Sequence, residues 1–173
     1  MAKALQAKRI VAISSAKNAD FVLKHGATEV VDYTNTDTLQ RFWEMNQNNF
    51  HCIYDTVTGN HDKIDYVTKS IPVMNKSNGK YIQLGGNPST WVKKFMHLLP
   101  SNRFLPLVGL TMNKIDLENV SALLGKINAR PIVIPQQFNE KGLRKGFDIL
   151  ISRRTRGKIV YDVSQSNRKE PSR

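Results

Sequence analysis

Arg9-Ile10-Val11-Ala12-Ile13-Ser14-Ser15-Ala16-Lys17-Asn18 is the stretch on which the fold turns: a short apolar run of strand type breaks into hydroxyl, cationic and amide side chains. Asn18 to His25 then reads as a helix stopped by Gly26. The same strand pattern returns in Glu29-Val30-Val31-Asp32-Tyr33, in Phe50-His51-Cys52-Ile53-Tyr54-Asp55 and in Lys80-Tyr81-Ile82-Gln83-Leu84-Gly85. Between these runs, Thr36 to Met45 reads as a helix with Leu39, Phe42 and Trp43 on one face. His61 to Met74 reads as another, with Pro72 disturbing its last turn. Such alternation predicts an α/β fold with a parallel sheet and flanking helices. Ligands in these sheets collect beyond the carboxyl ends of the strands, so the end residues carry the functional information.

Downstream, Trp91, Val92, Phe95, Met96, Leu98 and Leu99 within the segment from Asn87 to Pro106 suit a helix followed by an exposed loop, or an apolar surface that meets a partner. Asp116 to Ile127 reads as a helix capped by Asp116, Pro131 to Ile134 as a strand, Glu140 to Ser152 as a helix and Gly157 to Val163 as a last strand. There is no internal repeat. Residues 1–163 are thus expected to form one domain with returning strands at its C-terminal end, and residues 164–173, polar and carrying Pro171, a disordered basic tail.

Composition narrows the function classes. With 173 residues, 40% of them hydrophobic, the chain can bury one core of ordinary size. No stretch reaches the length of about 20 apolar residues that a membrane span needs. Met1 to Val11 does not run in the order of a secretory leader, so a cytoplasmic location is expected. Cys52 is the only cysteine, which excludes an internal disulfide and a zinc site built from several thiolates; within its apolar run it is expected to be buried. The net charge of +12 favours polyanions, but seven Lys/Arg against two Asp/Glu fall in residues 151–173, and no aromatic residues alternate with the basic ones as in a base-stacking surface. Nucleic acid is therefore not an expected partner.

Several local motifs occur together and in order: Ser14-Ser15-Ala16-Lys17-Asn18 after a strand, then Leu23, Gly26, Ala27, Val31, Asp32 and Tyr33, then Tyr54-Asp55-Thr56-Val57, then Leu84-Gly85-Gly86, and finally Arg156-Gly157-Lys158-Ile159-Val160. Over residues 2–163 this series resembles the medium-chain dehydrogenase/reductase superfamily, and within it the zinc-free quinone and enone reductase-like branch. The resemblance implies an NADPH-dependent oxidoreductase, with a nucleotide cofactor as partner and no zinc. A site for a 2′-phosphate needs hydroxyls and a cation at the end of the second Rossmann strand, where an NAD-specific site has a carboxylate; Ser14, Ser15, Lys17 and Asn18 supply them. The alternative role for these residues is to cap the next helix.

Tyr33 resembles the tyrosine that lies against the adenosine end in that family, and a half-buried strand tyrosine is the other reading. Val57, Leu84 and Gly85 end the strands that flank the nicotinamide, where small residues let the ring lie close. Here the chain departs from the pattern: Val57-Thr58-Gly59-Asn60 stands where glycine directly follows the valine, so that turn is altered or longer. Arg156 matches a cofactor-side arginine of some relatives, or is a solvent-exposed arginine in a basic stretch.

By the same resemblance the chain opens at the last turn of the helix after the glycine-rich loop, at Ala2-Lys3-Ala4-Leu5. The expectation is an incomplete Rossmann-type sheet missing its central first strand, its pyrophosphate-binding loop and the catalytic domain. The strands on either side of that gap must then pair directly or leave open edges. Such a chain is expected to be a fragment or remnant of the reductase, inactive alone, with a missing N-terminal portion or a homologous chain as partner. The alternative is a non-catalytic α/β module that offers its basic surface to an acidic partner or anionic membrane.

Overall fold

The computed structural model describes residues 1–57, 65–84, 92, 95–96, 103–107 (backbone alone for 104–107), 113–152 and 154–164. They fall into two compact units, 2–117 and 118–173 together with Met1, which are taken in turn.

In the first unit β1 (Val11–Ser14) pairs in parallel with β2 (Glu29–Asp32), in the register Val11↔Glu29 to Ser14↔Asp32. A 3-10 turn (Ala16–Asn18) and α1 (Ala19–Lys24) connect them. Then follow α2 (Thr36–Met45), β3 (Cys52–Asp55), α3 (Tyr66–Ser70), β4 (Lys80–Leu84) and β5 (Phe104–Leu107). β3 pairs in parallel with β4, and β4 with β5. The strand order is β1-β2 in one sheet and β3-β4-β5 in another. The parallel α/β architecture is as expected, and β1 and β3 do not pair across the predicted gap.

α2 forms where the spacing predicts it. Asn35 caps it by accepting the Thr38 amide at 3.0 Å, and Leu39, Phe42 and Trp43 are buried. They join Val31 and Val73 in a cluster against which Val11 and Ile13 of β1 and Ile53 of β3 also pack. Arg9 ties the strand starts to the end of α2: its guanidinium donates to Glu29 at 2.7 and 3.0 Å and to the Asn46 side chain at 2.7 Å, and stacks over the Phe50 ring at 5.3 Å.

α1 stops at Gly26, whose φ of 107° only glycine adopts readily. The Ala27 amide bonds back to the Val22 carbonyl and the Gly26 amide to that of Leu23, the bonding pattern of a left-handed helix stop. The same pattern closes Ala2–Ala7, where Gln6 takes φ 58°, Ala7 bonds to Ala2 and Gln6 to Lys3.

Four expectations change. Cys52 is exposed rather than buried, because β3 has no neighbour on its outer edge among the described residues. The helix expected over 61–74 spans Tyr66–Ser70, ending ahead of Pro72; residues 61–64 lie outside the described residues. Phe104–Leu107 is a strand, not a loop, while most of 87–106 lies outside the described residues. Asp116 sits in the first turn of α4 (Lys114–Gly125), and the Asn113 side chain, accepting the Ile115 amide at 2.9 Å, takes the capping place.

In the second unit β6 (Val133–Gln137) pairs in parallel with β7 (Lys158–Asp162), joined by α5 (Glu140–Ile151). Glycines let helix and strands meet closely: Gly142 of α5 lies on the Gln137 carbonyl and Gly146 on the Tyr161 hydroxyl. Residues 165–173, read as a disordered tail, lie outside the described residues.

Candidate functional site

The strand ends of the first unit gather the polar chemistry. Ser14 ends β1 directly beside Asp32, its register partner at the end of β2. The Asp32 carboxylate accepts the Thr34 hydroxyl at 2.7 Å and the Thr34 amide at 2.9 Å. These bonds, with a further one from the Ala16 amide, outweigh desolvation and hold the carboxyl below the usual carboxylate range. One carboxylate thereby fixes both the turn that carries Tyr33 and the start of the Ser15–Asn18 loop.

Neither Ser15 nor Asn18 uses its side chain to cap the helix that follows it. The capping role weighed against phosphate binding is thus not taken up by these two residues. Lys17 is exposed on the same loop.

A cavity of about 470 Å³ lies between β1 and β3. Its walls are Val11, Ala12 and Ile13 on one side and Cys52 to Val57 on the other, with Phe42, Trp43 and Val73 beneath and Tyr33 at the border. Tyr33 and Val57 are both partly exposed there, at 43% and 46%. Asp55 shapes the turn after β3: it accepts the Val57 amide at 2.9 Å and the buried Tyr81 hydroxyl at 2.6 Å. Asp55 was quoted from sequence as part of the motif that ends β3, but its bond with Tyr81 was not foreseen. Burial pushes the Cys52 thiol up even though the residue is exposed, so Cys52 lacks the character of a nucleophilic thiolate.

The remaining expected residues divide. Leu84 ends β4, 40% exposed, and Gly85 lies outside the described residues, as do 58–60, where the altered turn was read. Arg156 is exposed in the second unit, ahead of Gly157, whose φ of 139° brings it against the Ile132 carbonyl. Among the described residues no three His, Cys, Asp or Glu side chains converge as a metal centre requires. No donor set for zinc is therefore present there. Nor does any helix among them have the length and apolarity to cross a membrane.

Parallel β-α-β units flanked by helices make this a Rossmann-type α/β fold. More narrowly, the chain belongs to the zinc-binding dehydrogenase family of the medium-chain dehydrogenase/reductase superfamily, whose family model matches residues 25–160. Among solved structures it is similar to the quinone oxidoreductase from Coxiella burnetii, with 18% identity and a TM-score of 0.64. That match covers 90% of this chain and 45% of the quinone oxidoreductase, so the chain spans less than half of the relative's length. No curated protein matches the sequence.

Proposed function

We propose that this chain is the coenzyme-binding portion of an NADPH-dependent oxidoreductase acting on quinones or activated alkenes, and that alone it does not turn over. One observation carries the cofactor reading: a loop at the carboxyl end of β1 holds Ser15 and Asn18 with their side chains not spent on capping, and Lys17 exposed beside them. In this reading Ser14, Ser15, Lys17 and Asn18 hold the 2′-phosphate, Tyr33 lies along the adenosine, and Val57, Leu84 and Gly85 leave room for the nicotinamide. Arg156 keeps its other reading, a solvent-exposed arginine in a basic stretch. The cofactor, when bound, supplies the hydride; the protein's part is to bind, orient and exclude water.

The absence of turnover follows from missing interactions. No glycine-rich loop of the Gly-x-Gly-x-x-Gly type occurs in the sequence to donate amides to the pyrophosphate. Charge-assisted bonds of that kind contribute roughly 1.5–3 kcal/mol each, so the loss of several lowers affinity by several powers of ten.

Amide chemical-shift mapping of the 173-residue chain titrated with NADPH and with NADH tests the assignment. NADPH should bind weakly and perturb Ser14 to Asn18, NADH should do so less, and Lys17→Glu should remove the difference. Equal responses to the two cofactors in the native chain would sink the 2′-phosphate assignment. Multiple turnovers of a simple quinone by the chain alone would overturn the claim of inactivity.

A further inference from the structure

Chain direction sorts the charges of the first unit. Its strands are parallel within each sheet, and α1, α2 and α3 return from the end of one strand to the start of the next, so strand starts and helix ends share one end of the unit. Asp32 and Asp55 end strands, and Asp20, Asp37 and Asp65 stand at helix starts, so these acids lie at the opposite end together with the Ser14–Asn18 loop. At the strand-start end the acids among the described residues are Glu29, bound to Arg9, and Glu44, which accepts the Gln40 side chain. The bases there include Lys8, Arg9, Arg41, Lys76, Lys80 and Arg103, with Lys8, Arg41 and Lys76 exposed. Helix dipoles favour acids at helix starts, but Lys8, Lys76 and Lys80 lie outside helices and Arg41 is not in the last turn of α2. The dipoles therefore do not account for these cations.

One hydrogen-bonded chain holds them together. Arg9 donates to Glu29 and Asn46 and lies over the Phe50 ring. Asn49 donates to Asn46 at 3.4 Å, the Asn48 side chain accepts the Lys76 amide at 2.7 Å, and Arg103 donates to the Asn75 and Lys76 carbonyls at 2.8 and 2.9 Å. The bonds run from the start of β2 to the residue before β5, so the loops of both sheets form one surface. Met45, at the end of α2, is 82% exposed and borders a recess with Arg9 and Arg41.

We propose that this end of the unit docks on an anionic phospholipid surface, with Lys8, Arg41 and Lys76 at the headgroups and Met45 at the acyl boundary. A bilayer serves both features at once, since it offers a plane of negative charge with hydrocarbon directly beneath. Nucleic acid is a poorer match: Phe42 and Phe50, the aromatic rings at this end, are packed in the core and leave none for a base to stack on. An acidic segment of a protein would meet the cations but give Met45 nothing apolar to enter. Docking here leaves the Ser14–Asn18 loop pointing away from the membrane, and the proposal does not rest on the NADPH reading.

The test is co-sedimentation of the full chain with vesicles of phosphatidylcholine, alone or with about one-third phosphatidylserine. Binding should require phosphatidylserine and weaken steeply with salt. A cation near such a surface contributes about fivefold in partitioning, so the triple variant Lys8→Gln, Arg41→Gln, Lys76→Gln should bind on the order of a hundredfold more weakly. Met45→Gln should weaken binding roughly tenfold and leave its salt dependence unchanged. All four positions are exposed, so the melting midpoint should hold. Neutralising the C-terminal cations instead, with Arg168→Gln, Lys169→Gln and Arg173→Gln, should leave most of the binding in place. An equal loss from that variant would show that net charge alone acts, and the proposal falls. It falls equally if the triple variant binds as the native chain does. Poly-glutamate or poly-uridylate binding as tightly as the vesicles, with Met45→Gln silent, would overturn it in favour of an acidic protein or a nucleic acid.

Discussion

The Tyr81 hydroxyl donates to the Asp55 carboxylate at 2.6 Å, both residues buried, and so couples the middle of β4 to the turn that ends β3. Tyr81→Phe takes a donor from a buried carboxylate and should cost about 1–3 kcal/mol of stability. Urea unfolding of the two proteins measures it. A change within error would mean that the carboxylate finds water instead.

Gln83 is fully buried in β4, and among the described residues neither its amide nitrogen nor its amide oxygen has a hydrogen-bond partner. Such a group carries its desolvation cost without return, so Gln83→Met, close in shape, should raise stability by roughly 1–2 kcal/mol. A lower melting midpoint for Q83M would show that the amide is satisfied in solution.

Gly142 faces the Gln137 carbonyl so closely that a methyl group there must displace backbone. Helix propensity alone would make Gly142→Ala favourable by up to about 1 kcal/mol, but the clash should reverse the sign and destabilise by about 1–3 kcal/mol. Gly125 has open space around it, so Gly125→Ala is the matched control and should not destabilise.

Acid should loosen two turns. The Thr34 hydroxyl and amide lower the Asp32 carboxyl, and the Ser164 hydroxyl and amide lower that of Asp162. Since the folded values lie below the unfolded ones, the stabilisation is present above the ordinary carboxylate range and is lost as pH falls through the lowered folded values. The Thr34 and Ser164 amide resonances should therefore titrate below the ordinary range, and Asp32→Asn should abolish the first titration only. Titration of Thr34 at an unshifted pH would contradict the turn geometry.

What could be read in the sequence follows from the range of each interaction. Leu39, Phe42 and Trp43 announced α2 because helical spacing is local, and Gly26 announced the end of α1 for the same reason. The strand at Phe104–Leu107 escaped because Pro106 argues against a strand; it is tolerated since β5 is an edge of its sheet among the described residues. Cys52 was misread because an apolar run in a parallel sheet is buried only when neighbours stand on both sides. The end of β1 at Ser14 and the turn that follows it were legible from local composition, whereas Tyr81 and Asp55 lie 26 residues apart and nothing local links them.

The pairing of the strands also bears on how the chain acquires its shape. Val11 meets Glu29, Cys52 meets Lys80, Tyr81 meets Phe104 and Val133 meets Lys158, so among the described strands each pairing spans fewer than about thirty residues. Each sheet piece can close as soon as its second strand leaves the ribosome, in the order in which it is synthesised. Assembly then proceeds as a relay of local events, each completed within its own stretch of chain.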